Sequence, residues 1–288
     1  IRDRFSDIQN NHWLSHFDVD RSCIIDPIEH PLPFTPFKDL TDRPINEINL
    51  YSSEMASALC SIDRVSASAN MNNRLSEAIV EAYKKTEGAP ITFNMMLEEY
   101  QAKMTDAGKD DSISSVLKQL VRANIFEEED KASLIDDCYI IKMDGYPKDG
   151  PIAKAIVYFI ISKLNNIYEQ IEKQATNEDV VQIRHFSIID EAHYMLDFDN
   201  RPLRNLIAVG RNKGLSIILA TQNMSSFKSK GFDFYANAQY PLIMKQQTID
   251  DKVIKDLYGV SGQELQEVRT AIAGLQLSLI HISEPTRH

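Results

Sequence analysis

Apolar positions recur with a helical period through the first half of the chain, and apolar strand-length runs alternate with helical ones through the second. Over residues 50–125 one helical face carries Leu75, Ile79, Ala82 and Tyr83, and another carries Val116, Leu117, Leu120 and Val121. Gly88-Ala89-Pro90 separates two of these helices, and Ser112 has the chemistry of an N-cap. Upstream, Phe17–Asp20 and Cys23–Asp26 read as short strands, after which Pro27, Pro31, Pro33 and Pro36 interrupt regular structure. From residue 135 the pattern changes. Tyr139–Met143 reads as a strand, Gly145, Pro147, Gly150 and Pro151 as a loop, and Ile152 to Lys173 as a long helix with Ile156, Phe159, Ile160, Leu164, Ile167 and Ile171 facing inward. Phe186–Ile189 is the next strand, read as buried. Arg201–Lys213 is a helix closed by Gly214, and Leu215–Ala220 is a further strand. Gln239–Lys245 reads as a last strand, with Pro241 arguing for an edge. Strands joined through long helices imply parallel pairing, so the expected class is α/β, a parallel sheet flanked by helices.

Composition narrows the function. Across 288 residues, 31 Lys and Arg face 42 Asp and Glu, a formal charge of −11, which argues against a general coat for nucleic acid and leaves only local contacts. No apolar run reaches the roughly 18 residues of a membrane span. Cys23, Cys60 and Cys138 are scattered with no CxxC pair, against a disulfide framework or a zinc site and in favour of a reducing compartment such as the cytoplasm.

The chemistry concentrates where Phe186–Ile189 ends in Asp190-Glu191. In open α/β sheets ligands bind outside the carboxyl ends of strands. Two adjacent acids there suit nucleotide hydrolysis, Asp190 on the metal side and Glu191 as the base that polarises the attacking water. The same pattern also suits a strand that ends in solvated acids, and His193 suits a core or capping role. The neighbouring strand leads to Thr221-Gln222, whose amide can donate to a γ-phosphate and accept from a water; a polar strand cap is the plainer alternative. Arg211 and Lys213 fall at the opposite end of that strand by polarity. They are offered more naturally to a neighbouring subunit, Arg211 as an arginine finger in trans, or else Arg211 is a cation favoured by a helix C-terminus.

These residues carry a resemblance. HFSIIDEAHYML followed by VGRNKGLSIILATQNMSSF resembles the Walker B and sensor-strand segments of HerA/FtsK-type P-loop motor ATPases. HPLPFTPF, the helical insert after it and RHFSIIDEAH are similar to the DptH type, the HerA-like ATPases of phosphorothioation-dependent restriction systems. The resemblance spans residues 17–260. It implies a RecA-like core with a helical insertion, ATP and Mg²⁺ as cofactors, a homohexameric ring moving double-stranded DNA, and other restriction-system proteins as partners. By this resemblance Asp190 holds the metal, Thr221 and Gln222 bind the nucleotide, and Glu191, Gln222 and Arg211 serve catalysis. Type IV secretion or conjugation ATPases are the alternative within the class, and an inactive P-loop-like scaffold the alternative outside it. The implied organisation is part of the core over 1–44, a helical insertion over 45–130, and the core with Walker B and sensor strand over 131–276.

The family's phosphate loop, GxxxxGK[ST], is missing: none of the 10 glycines is followed by Lys-Ser or Lys-Thr. That loop supplies the nest of N–H groups and the lysine that hold β- and γ-phosphates. The expectation is a fragment whose loop lies upstream of Ile1, unable to hydrolyse ATP by itself. Leu277–Arg287 resembles the in-frame translation of a sequencing-library transposase adaptor, so 277–288 is expected to be a non-native tail.

Overall fold

A computed structural model describes residues 24–62, 67–104, 109–174, 181–196, 198, 200–222, 228–229, 232–238, 240–244 and 248–275. The readings of Phe17–Asp20 as a strand and of 277–288 as a tail lie outside these residues. The chain divides into two compact units, Ile1–Leu219 and Ala220–His288.

In the first unit, β1 (Ile24–Ile25) pairs in parallel with β2 (Ile140–Ile141), and between them lie α1 (Ile45–Ile62), α2 (Ala69–Lys85), α3 (Phe93–Ala102) and α4 (Ser112–Ala123). The helices start where side chains satisfy the first backbone N–H groups: Ser68 accepts from Met71 N and Thr92 from Met95 N. The cap of α4 is Asp111 and not Ser112. Asp111 accepts from Ser114 N at 2.8 Å while Ser114 Oγ accepts from Asp111 N at 2.9 Å, a reciprocal box that Ser112 cannot close because it already lies in the first turn. Leu75, Ile79, Ala82 and Tyr83 are all fully buried, as their spacing predicts.

The proline-rich stretch is irregular, and it also builds the core. Leu32, Phe34, Phe37 and Leu40 are each 2% exposed or less. Leu32 N donates to Ile125 O, and Leu32 O accepts from Glu127 N, which pins the stretch beside the end of α4. Phe37, Phe93 and Phe159 meet edge-on at 4.9–5.6 Å between ring centres. Gly88 has φ +92°, and a Cβ there would meet Leu40 O at 2.4 Å, so only glycine lets this turn touch the proline stretch.

After β2 come α5 (Pro151–Gln170), β3 (His185–Ile189), the short α6 (His193–Leu196), α7 (Arg201–Val209) and β4 (Leu215–Leu219). β3 and β4 pair in parallel, with His185 opposite Leu215 and Ile189 opposite Leu219. The long helix stops at Gln170, so Ile171 is its cap and not an inward face, and the predicted Arg201–Lys213 helix tightens to a 3₁₀ turn over Gly210–Lys213. Gly214 closes it at φ +86°. The reading of Phe186–Ile189 as a buried strand is corrected. Phe186 is 57% and Ile188 69% exposed, because strand side chains alternate and only the face of His185, Ser187 and Ile189 is partly covered. Among the described residues the parallel pairing forms two separate two-stranded sheets, a mixed α/β arrangement with less sheet than the sequence suggests.

The second unit contains the antiparallel pair β5 (Lys228–Ser229) and β6 (Phe232–Asp233), then α8 (Phe234–Asn237), α9 (Asp251–Tyr258) and α10 (Gly262–Gly274). Val253, Ile254, Leu265 and Ile272 form its core, with Ile243 packed against them. Of the predicted strand Gln239–Lys245, residues 240–244 are described, and they pair with no strand among the described residues. Pro241 removes a donor from the ladder, and Tyr240 and Leu242 are 87% and 89% exposed.

Candidate nucleotide-hydrolysis site

β3 delivers Asp190 and Glu191 at its carboxyl end, and β4 runs parallel beside it. The chain then turns sharply. Asp190 Oδ1 accepts from Glu191 N at 2.9 Å, and Glu191 takes φ +52°, a left-handed conformation uncommon outside glycine. Ala192, Met195 and Leu196 are buried and anchor α6 beyond the turn, with Leu196 N donating to Ala192 O. The turn is therefore held from both sides.

The two acids differ. Asp190 is exposed, so its charge is solvated and carries no burial cost. That environment suits Mg²⁺, which binds through one or two carboxylates plus waters and phosphate oxygens. Among the described residues no group of three or more His, Cys, Asp or Glu could cage a metal by itself. Glu191 is withdrawn, with its side chain 18% exposed, and its Oε2 lies 3.4 Å from His193 Nδ1. His193 in turn stacks against Tyr194 at 4.1 Å between rings. His193 thus faces the acid and is not the core or capping residue expected from the sequence; the Glu-x-His spacing is the signal for it.

At the other end of the strands Lys213 is not offered to a neighbour. Its Nζ donates to Tyr168 O and Glu169 O, the last carbonyls of α5, because a helix C-terminus attracts a cation. Arg211 is exposed in the same 3₁₀ turn. Parallel register puts that turn at the amino end of β4, away from the acid pair. Thr221 and Gln222 follow β4 and belong to the second unit. His185, at the start of β3, touches Ser187 Oγ at 3.2 Å, and burial lowers its pKa against an opposing hydrogen bond with the Ile135 backbone.

The sequence matches no family model and no curated protein. Nine chains of solved structures match. VirB4 of Thermoanaerobacter pseudethanolicus superposes with a TM-score of 0.62 at 18% identity, covering 91% of this chain and 73% of VirB4. The bacterial conjugative coupling protein TrwB, in a trigonal form with sulphate, gives 0.42 at 14% identity, covering 90% of this chain and 59% of that one. The plasmid coupling protein TrwB in complex with the ATP analogue ADPNP gives 0.40 at 13% identity, again covering 90% and 59%. No helix among the described residues is long and apolar enough to cross a membrane. The chain shares the α/β fold of VirB4.

Proposed function

We propose that this chain belongs to an ATP-driven P-loop motor of the HerA/FtsK class, in which Asp190 and Glu191 are the acids of nucleotide hydrolysis. The observation that carries the reading is the turn at the end of β3: an exposed carboxylate followed by a withdrawn one in a left-handed conformation, within a fold shared with VirB4. Glu191 accepts the proton of the attacking water, with His193 beside it at 3.4 Å to hold the carboxylate in place. Asp190 would hold Mg²⁺, which would supply positive charge against the phosphates. Gln222, with Thr221, contacts the γ-phosphate and orients the water. Arg211 acts in trans on the nucleotide of a neighbouring subunit in a hexamer. Residues 45–130 form the insertion and 131–276 the second part of the core.

What the motor moves is proposed to be double-stranded DNA, in the cytoplasm, within a modification-dependent restriction system; the HPLPFTPF and RHFSIIDEAH segments support this. The fold shared with VirB4 fits a second reading, a secretion or conjugation ATPase whose substrate is exported. Both readings place a phosphate loop in the sequence that precedes Ile1, and without it the chain is expected not to hydrolyse ATP. Reading the source locus upstream tests this: GxxxxGK[ST] ahead of Ile1 is expected, and a complete open reading frame without it makes the chain an inactive relative.

A further inference from the structure

Three segments of the first unit close on one cavity. The proline stretch cannot form a long ladder, so it is pinned at a single parallel bridge between Leu32 and Phe126, which lays residues 35–37 beside 125–128. α4 ends at Asn124, whose φ of +44° turns the chain back along the stretch. α3 starts at Phe93, directly after its cap Thr92. The cavity between them has a volume of about 140 Å³, close to the roughly 150 Å³ that admits a benzene ring. Its walls divide by chemistry. Phe37, Phe93 and Phe126 form one wall, with ring centres 4.9 Å apart for the first two and 6.2 Å for the last two. Glu127 and Glu128 form another, and no Lys, Arg or His lines the cavity. Glu127 is matched by Lys131 at 2.8 Å, whereas Glu128 makes no ion pair among the described residues. The end of α4, at Val121 and Asn124, adds the negative pole of a helix. The start of α3 also reaches the cavity, but Thr92 answers its positive pole: Oγ1 accepts from Met95 N at 3.2 Å, and the carbonyl accepts from Met96 N.

We propose that this cavity binds an arginine side chain presented by a partner protein. Aromatic faces, carboxylates and a helix carboxyl end all attract positive charge, and an apolar wall demands an apolar stem. A basic side chain has both. Guanidinium is planar, weakly hydrated and able to stack on aromatic rings while donating to a carboxylate, whereas ammonium is a compact, strongly hydrated point charge. The arginine stacks against the phenylalanines, its methylenes lie on the apolar wall, and Glu128 accepts from its N–H groups. The cavity shares no residue with the acid pair, so the inference goes beyond the hydrolysis reading and stands without it.

The test titrates the peptide acetyl-Gly-Arg-Gly-amide into the 288-residue chain and follows the methyl signals of Ile91 and Ile125, which line the cavity, by NMR. Saturable shifts of both methyls are expected. The citrulline peptide, which keeps the shape of arginine and loses its charge, should bind about tenfold more weakly, and the lysine peptide more weakly than arginine. Glu128→Gln should weaken the arginine peptide about three- to fivefold, the scale of an exposed ion pair. Glu129→Gln removes the same charge one residue beyond the cavity wall and should leave the affinity unchanged. No saturable shift up to about 10 mM peptide, equal binding of the citrulline or lysine peptide, or an equal loss in Glu129→Gln overturns the proposal.

Discussion

Glu191 sits in a backbone region that costs about 1–3 kcal/mol for a residue other than glycine, and such residues persist only where the surroundings fix them. Here the surroundings are the Asp190 carboxylate on one side and the buried Ala192 on the other. The strain aims one acid inward and leaves the other in water, the division of labour that a base and a metal ligand require. His185, at the far end of the same strand, gives a separate handle on this segment. Burial holds its pKa below the usual value of 6.5, so the unfolded chain binds the proton first as pH falls. The His185 contribution is complete above about pH 6.5 and is lost as pH falls through the depressed folded value. Urea midpoints measured from pH 7.5 to 5 should fall, and His185→Gln should flatten that fall; an unchanged slope in the variant contradicts the assignment.

At the scale of elements, the helices are set by their ends as much as by their faces. Asp111 caps α4 through Ser114, accepts from the hydroxyl of the fully buried Tyr100 at 2.7 Å, and pairs with Arg74 at 3.2 Å. Asp111→Ala should therefore lose a cap and orphan a buried hydroxyl, together about 2–3 kcal/mol. A loss of unfolding free energy in urea of less than a fifth of that would contradict the joint role. The helical faces around Leu75 and Tyr83 were legible because a 3.6-residue period is written in a single segment. The Asp111 cap was not, since Asp111 and Ser112 are both good caps and only backbone geometry chooses between them. The role of Leu32, Phe34 and Phe37 was masked by their prolines, which rule out regular structure and say nothing about burial. Phe186 and Ile188 read as buried because apolar residues are assumed to be covered, but one sheet face stays open among the described residues.

For the molecule as a whole, the site reading joins two kinds of support. The acid pair and its turn come from the first unit, and the fold is shared with VirB4 over 91% of the chain. The roles proposed for Thr221, Gln222 and Arg211 call on a nucleotide, a neighbouring subunit and a phosphate loop, which is why the sequence names these residues without fixing their geometry. The most direct measurement is ATP binding and ATP turnover, side by side, for Glu191→Gln in the complete product of the gene that encodes this chain. Glutamine keeps the size of the side chain and removes the base. The account predicts that ATP still binds while hydrolysis falls by about 10²–10⁴-fold, the scale of a lost general base. Hydrolysis at the parent rate would contradict it and leave the end of β3 a solvated strand terminus.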